Sequence, residues 1–100
     1  MLEPPRSFAA DSDARILLDC VALGSQSAFR DLYDLLSQAT YSICSTFLAR
    51  SSEIDDAMSE IWLFVWSHAA ELSQRGDSCE HTVSLVALRI AEARSTAISA

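Results

Sequence analysis

An all-α fold, a compact bundle of four helices, is what this sequence predicts. Half of its 100 residues are hydrophobic, while Gly and Pro number only two each. That composition favours helices over a turn-rich β fold or a disordered chain. Apolar residues then recur every three or four positions in four separate stretches, the period of a helix that buries one side. A chain of this length holds one small domain around one core. Residues 1–11, with Pro4 and Pro5, read as a flexible lead, and residues 12–100 as the helical domain, without repeat or linker.

The first helical stretch is "SDARILLDCVALG". Ser12 or Asp11 can cap its start and Gly24 can close it. Ala14, Leu17 and Val21 share a face, with Leu18 beside them. The second stretch starts at "GSQSAF", with Ser25 as its cap, and runs towards Arg50. Phe29, Leu32, Leu36, Ala39, Ile43 and Phe47 form its apolar stripe, and Tyr33 and Leu35 flank it.

The third stretch opens at "RSSEIDD", where Ser52 and Asp55 resemble a capping box and Glu53 and Asp56 suit the positive end of the helix dipole. Stepping about 100° per residue, Ile54, Ala57, Met58, Ile61, Trp62, Phe64, Val65, Trp66, His68 and Ala69 fill an arc of roughly 200°. Such a wide arc predicts the central helix of the bundle. Asp55 falls inside the arc, but in the first turn, where it still reaches solvent. Asp56, Ser59, Glu60, Leu63, Ser67 and Glu71 take the opposite side, so one bulky leucine stands among acids and hydroxyls.

A loop, "LSQRGDS", follows with Gly76 as its turn residue. The last stretch, "EHTVSLVALRIAEARSTAISA", aligns Val83, Val86, Ala87, Ile90, Ala91 and Ala97 on one face and Arg89, Glu92 and Ser95 on the other.

Charge and cysteine usage narrow the chemistry. The formal charge is −7, from 14 acidic and 7 basic residues. Every basic residue is Arg, and none cluster. Strong unaided binding to nucleic acid needs a patch of cations that displaces counterions, so it is not expected here. Cys20, Cys44 and Cys79 are widely spaced with no CxxC pair, which speaks against a disulfide framework or a zinc ribbon and for small buried hydrophobes. Cys79, His81 and His68 offer three metal ligands but no evident fourth, so no metal site is expected. No cofactor is expected either. Acid–base catalysis would need the histidines and carboxylates to converge on a pocket, whereas His68 falls on the core side as a hydrogen-bonded histidine. The chain is read as a non-enzyme. No apolar run reaches the roughly 18–20 residues that span a bilayer, and the start lacks the basic and apolar segments of a signal peptide. We therefore expect no membrane association and a cytoplasmic location.

The order of motifs resembles region 2 of the extracytoplasmic-function (ECF) sigma factors, small bacterial transcription initiation factors. "GSQSAFRDLYDLL" is similar to that family's Gly-Asp/Asn-x-x-Ala-Phe-x-x-Leu-Tyr start. "SSEIDDAMSEIWLFVWSHAAELSQRG" is similar to its acid pair, Gln-Glu-x-Phe-Leu-x-x-Trp signature and Arg/Lys-Gly loop. The likeness covers residues 13–99. It implies packing roles for Ala28, Phe29, Leu32 and Tyr33. It also implies that Asp56, Ser59, Glu60 and Leu63 dock on the clamp coiled coil of the largest subunit of RNA polymerase. Arg75 and Gly76 would belong to the loop that reads an unstacked base of the −10 promoter element, and Arg89 and Arg94 to the helix that lies against promoter DNA.

The departures weaken the DNA half more than the protein half. Ser59 replaces a Gln, Phe64 a basic residue and Thr82 a strand-separating Trp, and Glu92 lies between the two arginines of the last helix. The resemblance thus implies a divergent sigma region 2 that meets promoter DNA weakly or only within the holoenzyme. The alternative is a degenerate sigma-like module that acts by protein contact alone, on polymerase or on an anti-sigma factor.

Overall fold

Among the described residues there are five helices, not four: α1 (Arg6–Ala22), α2 (Gln26–Phe47), α3 (Ser51–Ser67), α4 (Ala69–Ser73) and α5 (Cys79–Ser99). The computed structural model describes the backbone of residues 6–75 and 78–99 and the side chains of residues 13–75 and 78–97. All regular structure among them is helical.

Helix α1 begins at Arg6, so Asp11 and Ser12 lie inside it and not at its start. The sequence offers no breaker between Pro5 and Gly24, and Ala9 and Ala10 are strong helix formers. Residues 1–5 of the expected lead lie outside the described residues. The end of α1 follows the sequence closely. Gly24 takes a φ of 93°, its N–H donates to the Val21 carbonyl at 2.9 Å, and the Ser25 N–H donates to Cys20 at 3.0 Å. This is a Schellman closure, which needs the left-handed conformation that glycine adopts without strain. Ser25 then caps α2, its hydroxyl accepting the Ala28 N–H at 3.1 Å.

Helix α2 is rotated slightly from the expected stripe. Its buried row is Ala28, Leu32, Leu36, Thr40 and Cys44, at strict four-residue spacing, while Phe29, Ile43 and Phe47 pack at its margin. Thr40 enters the core because its hydroxyl donates within its own helix, to the carbonyls of Leu36 (3.1 Å) and Ser37 (3.0 Å). A polar group satisfied in this way no longer opposes burial.

Helix α3 starts at Ser51 with Arg50 as a cap residue and no side-chain cap bond, so the Ser52–Asp55 capping box does not form. Its regular path stops at His68, whose backbone leaves helical geometry (φ −116°, ψ 20°). Here Ser67 Oγ donates to the Leu63 carbonyl at 2.8 Å, and His68 Nδ1 lies 3.1 Å from the Phe64 carbonyl. Side chains that bond back to carbonyls four residues earlier compete with the helix ladder and bend it. The bend turns Ala69 and Leu72 of α4 into the core, where α4 packs on α1.

The central helix is α5, which touches all four others, whereas α3 packs on α2, α4 and α5. The residues that α5 buries are small or β-branched: Cys79, Thr82, Val83, Ala87 and Ala91. Short side chains let neighbouring helices approach on several sides, and that decides centrality more than the width of an apolar arc. Ala97, expected on this face, is exposed.

Cys44 and Cys79 are buried as expected, while Cys20 is half-buried. Burial raises the pKa of the Cys44 thiol, against a downward pull from the Arg94 guanidinium. Below the unfolded thiol value of about 8.5, both states keep the proton and the group contributes nothing. Above it the unfolded chain ionises first, so folding stability falls as pH rises. Urea midpoints measured between about pH 8 and pH 10 should decline, and Cys44→Ala should flatten part of that decline.

Candidate functional site

Helix α3 presents two kinds of surface. Its buried residues, Ile54, Ala57, Met58, Ile61, Trp62 and Val65, cover an arc of about 140°, narrower than the apolar residues alone predict. Phe64 and Trp66 fall at the margins and are 37% and 36% exposed. Trp66 leans on Phe29 of α2, with ring centroids 5.2 Å apart and planes at 73°. Phe64 stacks on His68 at 4.0 Å and 15°. His68 is therefore a half-buried residue at a helix bend and not a core histidine. Asp55 is exposed, as its place in the first turn required.

The outer face carries Asp56, Ser59, Glu60 and Leu63, all exposed, and Leu63 keeps 65% of its surface open to solvent. An apolar side chain ringed by polar groups on a rigid helix matches the anatomy of a small protein interface. Glu60 is already engaged: Arg94 Nε of α5 donates to its Oε1 at 2.8 Å. An exposed pair of this kind is worth at most about 1 kcal/mol, so an arriving cation can displace Arg94.

The bond also divides the candidate DNA-contacting residues. Arg75 and Arg89 line one cavity of about 480 Å³ between α3, α4 and α5, together with Phe64, His68, Glu71 and Thr82. Arg94 lies five positions after Arg89, roughly 140° further round the helix, which carries it to the side of Glu60. Gly76 lies outside the described residues. Thr82, at the position where a strand-separating Trp is expected, is buried and its hydroxyl has no hydrogen-bond partner among the described residues. His81 is not among the residues that line the cavity, so the two histidines do not converge there.

The Phe64–His68 stack was missed in the reading of residue types. Its signal is present as an aromatic pair at i and i+4, a spacing that brings side chains together on a helix. Among the described residues, no three His, Cys, Asp or Glu side chains gather as a metal ion would require, and no helix is long and apolar enough to cross a membrane. Comparison with protein-family profiles, curated protein sequences and solved structures gives no match.

Proposed function

We propose that this chain is a divergent ECF-type sigma region 2 module, built as a helical bundle, that docks on the clamp coiled coil of RNA polymerase during transcription initiation. The observation that carries the reading is Leu63, a large apolar side chain left 65% exposed on a rigid helix with Asp56, Ser59 and Glu60 around it. The acids would meet basic residues of the coiled coil while Leu63 gives up its water. On the far side of Phe64, the cavity with Arg75 and Arg89 has the charge and the aromatic wall to accept an unstacked −10 base, since a base stacks on rings and its phosphates seek cations.

The pairing of Arg94 with Glu60 favours a second reading, in which the module acts only through protein contact, on polymerase or an anti-sigma factor. With Arg94 bonded to Glu60, the candidate cations Arg75 and Arg89 share their cavity with the acidic Glu71, in a chain of net charge −7. Two phosphate contacts give little affinity at physiological salt. Co-purification with core polymerase tests what both readings share in their polymerase form, and promoter-dependent opening by the reconstituted complex separates them. Capture with opening supports the first and capture without opening supports the second. Absence of capture removes polymerase as the partner.

A further inference from the structure

A second concavity of about 500 Å³ lies on the other side of the docking face, between α2 and α3. Four of its lining residues are aromatic: Phe29, Tyr33, Tyr41 and Trp62. Trp62 forms the buried wall. The Tyr33 ring meets it edge-on at 5.2 Å and 69°, and the Phe29 ring at 6.0 Å and 73°. Tyr33 and Tyr41 remain 39% and 44% exposed, so their rings are open to an incoming group. Among the described residues Asp55 is the one charged residue that lines the groove, and Ser59 joins it to the docking face.

We infer that this groove is a cation-binding box that takes an arginine side chain from a partner protein. Aromatic faces carry negative potential and attract a cation placed over them. Asp55 supplies a full opposite charge at the same place. Covering that carboxylate with an apolar side chain would strip its water and give nothing in return, so the groove selects against an apolar occupant. A guanidinium answers both features at once: its plane stacks on a ring while its fork of N–H donors pairs with a carboxylate. An ammonium is more tightly hydrated and lacks the plane. The net charge of −7 steers a basic segment towards the chain. The inference goes beyond the polymerase reading, because it names the chemistry of a side chain and not the protein that bears it.

The test is a titration of the ¹⁵N-labelled protein with acetyl-Gly-Arg-Gly-amide, followed by the Trp62 indole signal and the tyrosine ring protons. Citrulline in place of arginine keeps the shape and removes the charge, and leucine makes the probe apolar. The arginine peptide is expected to give saturable shifts, and the citrulline and leucine peptides to bind at least about fivefold more weakly. Asp55→Asn and Tyr41→Ala, both at exposed positions, should each weaken arginine binding by about fivefold. Equal binding of citrulline or leucine, or no saturable shift at Trp62, overturns the inference. Polymerase plays no part in the measurement, so its result and that of polymerase capture stand or fall separately.

Discussion

Replacing Trp62 with alanine is expected to cost about 3–5 kcal/mol of folding stability, while phenylalanine at the same position should cost much less. The indole is 4% exposed and packs edge-on against Phe29 and Tyr33. Alanine abandons both ring contacts and leaves a cavity between α2 and α3 that rigid helices only partly close. Phenylalanine keeps a ring in place and also removes an indole N–H that is buried without a hydrogen-bond partner among the described residues. Hiding such a donor costs about 1–3 kcal/mol, which offsets part of the packing lost with the smaller ring. The phenylalanine variant should therefore stay within about 1–2 kcal/mol of the parent. Urea unfolding of the three proteins checks the order. If phenylalanine proves as damaging as alanine, the indole N–H has an acceptor and the argument from its isolation is wrong.

Changing Leu63 to aspartate should leave stability nearly untouched and remove docking. The side chain is 65% exposed, and surface substitutions of this kind usually shift stability by about 0.5 kcal/mol or less. In the interface proposed above, the same residue would be the apolar anchor. Losing an anchor costs about 2 kcal/mol or more, about thirtyfold in affinity, and a buried unpaired carboxylate adds to that. Glu60→Arg should also abolish capture by core polymerase, but it breaks the Arg94 bond as well. Combining Glu60→Arg with Arg94→Glu restores an ion pair across α3 and α5 with its signs exchanged. If the swapped protein regains capture, Glu60 acts by holding α5 in place and the docking assignment is wrong. Continued loss of capture, with unchanged thermal stability, places the effect at the interface.

Much of the local structure was readable residue by residue. Gly24 and Ser25 marked the boundary between α1 and α2 because a left-handed turn and a hydroxyl cap are short-range chemistry. The separation of Leu63 from Ile61, Trp62 and Val65 was also legible, since helical geometry alone puts them on different sides. The errors share one cause. The Ser52 box failed because α3 begins two residues earlier than that box requires, with Arg50 and not Ser52 at the cap position. The α2 stripe shifted towards Thr40 and Cys44 because small residues, one with a self-satisfied hydroxyl, let α5 come close. Hydrophobicity ranks Phe29 and Phe47 above them and cannot see that preference.

The candidate sites divide in the same way. Sequence by itself determined that the chain is helical, where most turns fall, and that α3 has one acidic, leucine-bearing face, because these follow from periodicity and from bonds within a few residues. Tertiary structure alone decided that Arg94 answers Glu60, that Arg75 and Arg89 share a cavity while Arg94 does not, and that four aromatic residues line one groove with Asp55. Those pairings join residues as far as 34 positions apart. Their geometry depends on the angle and depth at which whole helices pack, which no local pattern encodes.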